Sequence, residues 1–235
     1  MSATCACCGA LLTGRYYTIP GNDACYCQTC IKTRPRCESC GVPLGSHHWK
    51  LHDGRLLCPQ CHSTAIYDPA IALAVFQETV DGLVSHLGMR LNVGVAFRLV
   101  DAPTLHNLRQ QSHRLPPGYS PGQDIRTLGL YVRNGHIRVI YMLYGLPRLT
   151  FRMTVAHEYA HAWQGEQCPL LENEVLREGF AEWVAFYHLL WLGATRAARR
   201  MLESFHPYRP ALEHMFDLER KFGRAGLIDY LKRAE

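Results

Sequence analysis

The sequence predicts an α+β protein in which a cysteine-rich module precedes a small sheet and several helices. Ten of the eleven cysteines lie before residue 62, and such a concentration is typical of a small module held together by metal ions or disulfides. Beyond them, two β-prone runs flank Asn134-Gly135, and later segments repeat apolar residues at helical spacing. We therefore divide the chain into a cysteine-rich module, residues 1–66, and an α+β domain, residues 67–235.

The cysteines of the module form four C-x2-C pairs, separated by 18, 6 and 17 residues. A C-x2-C turn places two thiolates where they can share one tetrahedral ion, so four pairs predict two structural zinc sites. The alternative, a disulfide framework, suits an oxidising compartment. His47, His48 and His62 are weaker ligand candidates, and Cys7, Cys25 and Cys168 have no assigned role, although Cys7 or Cys25 could replace a neighbour. The predicted sites are Cys5, Cys8, Cys27 and Cys30, and then Cys37, Cys40, Cys58 and Cys61.

This order of pairs resembles a LIM domain. In LIM domains the third ligand of the first site is usually histidine, and two residues separate the middle pairs. Here Cys27 takes the place of that histidine and six residues form the link. The resemblance implies an atypical LIM-type double zinc module, a kind of module that more often binds proteins than nucleic acid.

The second domain is predicted to begin with a helix. Asp68-Pro69 combines an N-cap with proline at the first helical position, and helical spacing of apolar residues continues to Gly88. Residues 90–100 alternate enough to predict a strand. Residues 103–124 combine a short helical stretch with an exposed loop, because the run 115–122 is rich in proline, glycine and serine.

A hairpin and further helices complete the predicted elements. Residues 128–133 and 136–143 are β-prone runs joined by Asn134-Gly135, which is a strong hairpin signal. Residues 145–147 end the second strand and lead into a helix that carries His157. Further helices are predicted over residues 172–192 and 212–232, the last with an interruption near Gly223 and Gly226.

The helix after the hairpin carries the H-E-x-x-H motif as His157, Glu158 and His161. Residues four apart share a helix face, so both imidazoles can reach one ion while Glu158 lies beside it. A metal held in this way acidifies water and polarises a carbonyl, and the carboxylate accepts the proton and passes it to the leaving amine. The simpler alternative is a helix with two buried histidines.

A catalytic zinc ion normally has three protein ligands and one open position. The next predicted helix offers Glu174, Glu178 and Glu182, spaced four apart. We predict Glu178 as the third ligand, because Gly179 beside it would let this helix approach the H-E-x-x-H helix closely. Glu182, one turn later, would hold a ligand histidine through its other ring nitrogen. Glu174 or Glu182 remains the alternative ligand.

The surrounding residues distinguish between classes of zinc peptidase. A metzincin requires Gly and His three and six residues after the second histidine, where this chain has Gln164 and Gln167. Residues 177–181 instead resemble the N-E-G-F-A segment of gluzincin aminopeptidases, which implies a zincin-like domain with Glu178 as a ligand. Those aminopeptidases also carry a G-x-M-E-N segment that grips the substrate amine. The corresponding strand, residues 139–144, has no acid, which favours an endopeptidase.

Four blocks in one order resemble the plant organ-size-regulating, ubiquitin-activated LIM peptidases. The resemblance implies an active site of His157, Glu158, His161 and Glu178, a substrate protein cut internally, and contact with ubiquitin or another protein through the zinc module. The blocks are the cysteine pairs with Asp53-Gly54-Arg55-x-Leu57-Cys58, then Tyr144-Gly145-Leu146-Pro147-Arg148-Leu149, then Ala156-His157-Glu158-x2-His161-Ala162-Trp163, then Glu178-Gly179.

Two further hypotheses concern the binding of the substrate backbone and the stabilisation of the oxyanion. Residues 136–143 could be an edge strand onto which an extended substrate adds, or an ordinary core strand. His206 or Tyr208 could donate a hydrogen bond to the oxyanion of the tetrahedral intermediate.

The charge pattern does not indicate nucleic-acid binding. The formal charge is +5, but eight thiolates and three Zn²⁺ ions reduce it to about +3, and the basic residues are dispersed. No apolar run is long enough to span a bilayer, and the N-terminus has no secretory signal pattern, so we expect a cytoplasmic protein with one catalytic and two structural zinc ions. The competing hypothesis is a LIM-type adaptor whose peptidase half binds metal but no longer cuts.

Overall fold

The computed structural model describes residues 3–111, 127–203 and 207–234. The chain forms two compact units. The first comprises Met1–Ile66 and Gly145–Arg148, and the second comprises Tyr67–Tyr144 and Leu149–Glu235. The short return of residues 145–148 to the first unit has no sequence signal, because it depends on pairing between strands that are far apart in the chain.

The first unit is built from short strands and single helical turns around the cysteines. Three two-stranded antiparallel ladders join β1 to β2, β3 to β4, and β5 to a later strand, β9. Buried cysteines pack with Tyr26, Val42, Leu44 and Leu57 in one small core. The elements are β1 (Tyr16–Ile19), β2 (Asn22–Cys27), α1 (Gln28–Thr33), β3 (Trp49–Lys50), β4 (Leu56–Leu57), α2 (Pro59–Ser63) and β5 (Ala65–Ile66).

The second unit is mixed α+β, as predicted, with its strands before its main helices. Its elements, with β9 of the first unit in chain order, are α3 (Pro69–Leu87), β6 (Ala96–Val100), α4 (Ala102–Gln111), β7 (Gly129–Asn134), β8 (Ile137–Leu143), β9 (Leu146–Pro147), α5 (Arg148–Gln167), α6 (Glu174–Trp191), α7 (Thr195–Glu203) and α8 (Arg209–Arg233).

The boundaries of α3 follow local sequence chemistry. The Asp68 side chain accepts hydrogen bonds from the backbone of Ala70 and Ile71, Pro69 opens the helix, and Gly88 ends it in the left-handed conformation with φ 67°. These predicted ends are confirmed. The predicted strand over 90–100 is shorter in the structure, where it covers Ala96–Val100. The predicted loop 115–122 lies outside the described residues.

The sheet of the second unit has three strands in the order β6–β8–β7. Strands β7 and β8 form the predicted antiparallel hairpin, and Gly135 adopts a positive φ in its turn. Strand β8 also pairs in parallel with β6. The hypothesis that residues 136–143 form an edge strand is therefore wrong, because β8 is hydrogen-bonded on both sides. Among the described residues, its partners β7 and β6 are the two edge strands.

Two glycines shape the helices around the candidate site. A Cβ atom at Gly179 would lie 2.5 Å from the carbonyl oxygen of Ala211. The close approach at Gly179 is therefore between α6 and the start of α8. The prediction that Gly179 brings α6 close to α5 is wrong. Gly223 interrupts α8 with φ 70° and ψ 171°, as the sequence predicted. Among the described residues, none of the helices combines the length and apolar character needed to cross a bilayer.

Candidate metal centre

Helix α5 carries both histidines of the H-E-x-x-H motif on one face. Its buried side includes Phe151, Val155 and Ala160, and these apolar contacts fix the rotation of the helix. His157 and His161 then lie one turn apart, with their ring centroids 4.8 Å from each other. The simpler alternative, two buried histidines without a common target, does not describe this arrangement, because both Nε2 atoms face the same carboxylate.

The side chains of His157, His161 and Glu178 form a triangle of potential ligands, in which each histidine faces a different oxygen of Glu178. The Nε2 atoms of His157 and His161 are 3.2 Å apart. Oε2 of Glu178 is 3.4 Å from Nε2 of His157, and Oε1 is 3.4 Å from Nε2 of His161. A tetrahedral Zn²⁺ ion with bonds of about 2.0–2.1 Å separates its ligand atoms by about 3.3 Å. The triangle therefore has the dimensions that a zinc ion requires.

The three glutamates of α6 have different positions. Glu178 faces both Nε2 atoms, whereas Glu182 lies on the other side of the His157 ring, with Oε1 3.1 Å from Nδ1. Glu174 lies 3.7 Å from Arg177 and belongs to no group of potential ligands among the described residues. This placement puts Glu178 where it could share an ion with both histidines, and Glu182 beside the other ring nitrogen of His157.

The electrostatics of the centre are dominated by the buried carboxylates. Burial opposes a charge on His157, but the adjacent carboxylates of Glu178 and Glu182 outweigh it and raise the pKa of this histidine well above its ordinary value. Burial also opposes a charge on Glu178, but the two histidines outweigh it and lower the pKa of Glu178. The centre thus favours an ionised carboxylate that faces positive charge.

One oxygen of Glu178 has surroundings that suit a cation ligand. Its Oε2 is buried and accepts no well-aligned hydrogen bond from the described residues, although Nε2 of His157 lies 3.4 Å away. A buried carboxylate oxygen without such a partner is costly unless a cation binds it. Two imidazoles and one carboxylate are also a donor set that zinc accepts. The residues therefore fit a zinc ion.

Glu158 is held against the edge strand β7. Its Oε2 accepts a hydrogen bond of 2.8 Å from the backbone N–H of Tyr131. The strand can come this close because residue 129 is glycine, where a Cβ atom would lie 2.9 Å from Cγ of Glu158 and 2.7 Å from Cγ2 of Thr154. Neither Gly129 nor Tyr131 has a sequence signal for this role, since the contact is between residues distant in the chain.

Of the two proposed oxyanion donors, only Tyr208 can be placed. Its ring centroid lies 6.1 Å from that of His157. Burial and the nearby carboxylates, Glu178 first, raise the pKa of the Tyr208 phenol, against an opposing contribution from Arg109. The phenol therefore keeps its proton at neutral pH and can donate a hydrogen bond. His206 lies outside the described residues.

A second support of the histidines was missed from the sequence. Nδ1 of His161 lies 2.9 Å from Oε1 of Gln164, and Nε2 of Gln164 donates to the carbonyl oxygen of Arg177 at 3.0 Å. The sequence pattern gave Gln164 no role beyond showing that the chain lacks the glycine of a metzincin at this position. Its position three residues after a ligand histidine, on the same helix face, was the available signal.

The first unit contains the two predicted four-cysteine groups. The Sγ atoms of Cys8 and Cys27 are 3.9 Å apart, and those of Cys40 and Cys58 are 3.7 Å apart. Zn–S bonds of about 2.3 Å give a separation of about 3.8 Å, so both groups could hold zinc, as a LIM-like module does. Cys7, Cys25 and Cys168 belong to neither group.

The two cysteine groups share one hydrogen-bonding pattern. The third cysteine of each group donates its backbone N–H to the sulfur of the first, from Cys27 to Cys5 and from Cys58 to Cys37, at 3.3 Å in both. Each third cysteine also caps a short helix, accepting from the N–H three residues later. Hydrogen bonds of this kind stabilise a thiolate, the form that binds metal. Burial opposes this at Cys5, yet backbone donors lower its pKa to about 6.

The chain has distant relatives among plant proteins. It is 25% identical over 192 residues to protein DA1 of Arabidopsis thaliana, a match that covers 70% of this chain and 35% of that protein. It is 28% identical over 188 residues to protein DA1-related 1 of the same plant, covering 67% and 33%. It is 26% identical over 157 residues to the LIM domain-containing protein HDR3 of Oryza sativa subsp. japonica, covering 55% and 31%.

The matches cover only part of each relative. The chain spans about a third of the length of the curated relatives it matches. No family model matches it, and no solved structure does. Its distant relatives are thus DA1, DA1-related and LIM domain-containing plant proteins, and they support the LIM-type resemblance that the cysteine pairs indicated.

Proposed function

We propose that the chain is a zinc-dependent endopeptidase of the gluzincin kind that cleaves protein substrates. The observation that carries this proposal is the triangle of His157, His161 and Glu178. Their two Nε2 atoms are 3.2 Å apart, each lies 3.4 Å from one oxygen of Glu178, and the backbone of Tyr131 holds the Glu158 carboxylate. A zinc ion bound there would acidify a water molecule and polarise the scissile carbonyl. The remaining chemistry depends on the side chains of the chain itself.

Glu158 is the proposed general base and then the general acid. It is buried, and the Tyr131 N–H holds one of its oxygens, so the second oxygen is available to accept a proton from the attacking water. The same carboxyl group then donates that proton to the leaving amine. The protonated phenol of Tyr208 is the proposed donor to the developing oxyanion.

The edge strand β7 is the proposed binding site for the substrate backbone. It is hydrogen-bonded to β8 on one side only, and its other side contacts Glu158. An extended peptide that adds to this edge would pass directly beside the base. No acidic side chain lies on β8 to grip a free amine, which supports internal cleavage over removal of terminal residues.

The cysteine groups of the first unit bear on the partners and the location of the protein. We propose that the first unit is a LIM-type module that binds ubiquitin or another protein, a suggestion supported by the resemblance and by the cysteine groups. Thiolate ligands suit a reducing compartment, so we propose a cytoplasmic protein. The presence of Glu158, held by the Tyr131 N–H, favours the enzyme over the competing hypothesis of an inactive adaptor.

Glu158→Gln tests the proposed mechanism. The variant keeps all three proposed ligands but removes the proton acceptor, so we expect cleavage to fall by about 10²–10⁴-fold while the zinc content stays unchanged. A protein pool treated with wild type or variant would be compared by mass spectrometry of new N-termini. Glu174→Gln, on α6 but outside the triangle, is the matched control. Equal cleavage by wild type and Glu158→Gln would contradict the mechanism.

A further inference from the structure

Gln164 connects the two helices of the candidate centre through one buried amide. Its side chain contacts Nδ1 of His161 on α5 at 2.9 Å and the carbonyl oxygen of Arg177 on α6 at 3.0 Å. The residue is only 3% exposed, and hydrogen bonds in such surroundings are stronger than those exposed to water. Both ends of the amide therefore have defined partners away from solvent.

The orientation of this amide determines the tautomer of His161. The carbonyl oxygen of Arg177 can only accept, so the amide nitrogen of Gln164 must face it. The amide oxygen then faces Nδ1 of His161, which must carry the hydrogen. This leaves Nε2 of His161 as the nitrogen whose lone pair points toward the common ligand position, 3.4 Å from Glu178.

The same amide also locates the third ligand. Arg177, whose carbonyl accepts from Gln164, directly precedes Glu178 in α6. A displacement of Gln164 would thus affect both the ring of His161 and the helical turn that presents Glu178. His157 has a different support, because Glu182 binds its Nδ1 at 3.1 Å. One ligand histidine is held by a carboxylate and the other by a neutral amide.

We propose that Gln164 is a positioning residue of the metal centre, which sets the tautomer of His161 and ties it to the turn of α6 that carries Glu178. This inference rests on the proposed zinc centre. Residues that hold a ligand histidine through its second nitrogen typically contribute 10–100-fold to metal affinity. The inference can therefore be tested by metal binding without any substrate.

The experiment compares Gln164→Met with Gln167→Met and with Gln164→Glu in the full chain. Methionine keeps the length of the side chain but removes both hydrogen bonds, so we expect the affinity of the His/Glu centre for zinc to fall by about 10–100-fold. Gln167→Met makes the same change one turn further along α5 and should leave the affinity unchanged. Glutamate keeps the acceptor for His161 and loses the donor to Arg177, so its zinc affinity should lie between those of the wild type and Gln164→Met.

Two readouts separate positioning from a general loss of stability. Zinc release is followed by competition with a chromophoric chelator, with the cysteine sites kept loaded. The labile site is then refilled with Co²⁺, whose absorption reports on its coordination geometry. We expect an altered spectrum for Gln164→Met and an unchanged one for Gln167→Met. Far-UV circular dichroism verifies folding, and Gln164→Glu provides the comparison should the methionine variant not fold.

The outcomes distinguish this inference from the function on which it rests. If the wild type binds zinc at the His/Glu centre and Gln164→Met binds it equally well with the same Co²⁺ spectrum, the positioning role is refuted. A Gln164→Glu affinity as low as that of Gln164→Met would also refute it, because the bond to His161 would then not be the operative contact. No zinc at the centre in the wild type would instead refute the proposed function.

Discussion

The two units of this chain bring potential metal ligands together in different ways. In the first unit, four local pairs supply the sulfurs of both groups, and backbone N–H groups donate hydrogen bonds to those of Cys5, Cys27, Cys37 and Cys58. In the second unit, two ligands are local and the third, Glu178, comes from another helix. Side chains of Glu182 and Gln164 support these ligands. On the proposed function, the first unit would hold zinc in four-cysteine sites, whereas the second would leave a position beside Glu158 for water.

The largest effect is expected from the loss of one cysteine of a four-cysteine group. Cys58→Ser removes a potential ligand, whereas the serine hydroxyl can still cap α2. Because structural zinc contributes about 10–16 kcal/mol to small zinc domains, we expect the first unit to lose its fold and one zinc ion. Metal analysis and circular dichroism would show both. Cys25→Ser, in the same unit but outside the groups, should retain full zinc content, and a similar loss there would contradict the assignment.

A smaller effect is expected from removing the remote ligand. Glu178→Ala leaves two histidines, so we expect the zinc of the second unit to become easily removed by mild chelation while the cysteine sites keep theirs. The measurement is the number of zinc ions retained after dialysis against a weak chelator. Glu174→Ala is the matched control on the same helix. If Glu178→Ala retained its zinc and either Glu174→Ala or a Glu182 variant lost it, the ligand role would pass to that glutamate.

The smallest effect is expected from a histidine outside both kinds of site. His188 of α6 is fully buried, with Nδ1 3.3 Å from Nε2 of His86 and no partner for its Nε2 among the described residues. Burial, then the charges of His86 and Arg152, lower the pKa of His188 to about 4. Burial, then Arg224, also lowers the pKa of His86.

The sign of the pH effect follows from this lowered pKa. As pH falls below the ordinary value of about 6.5, the unfolded chain binds a proton at residue 188 before the folded chain does, so folding becomes less stable. The free energy of unfolding should fall by at most about 3 kcal/mol between pH 6.5 and 4. Denaturant unfolding of His188→Gln should show a weaker dependence on pH in this window, with exposed His106→Gln as the control. Identical slopes for wild type and His188→Gln would contradict this prediction.

The comparison of the two units also shows which parts of the centres can be predicted. Cysteine pairs two residues apart, and histidines four apart on a helix, are brought together by local geometry alone. The ends of α3 were predicted because Asp68 and Gly88 act on their own helix. Of the two hypotheses for residues 136–143, the edge strand was wrong, because β8 also pairs with β6, an element more than thirty residues earlier in the chain. The residue pattern within a single strand does not predict pairing with a strand so far away in the chain.

The sequence by itself determined the candidate ligands, because their spacing within single turns and helices is a property of the backbone. It also narrowed the third ligand to three glutamates on one helix. Only the tertiary structure decided among them, since it places Glu178 against both Nε2 atoms and Glu182 against Nδ1 of His157. It also supplied the contacts of Tyr131 and Gln164. The physical reason is that these contacts join backbone groups to side chains on separate elements, and packing of the whole unit sets their distances.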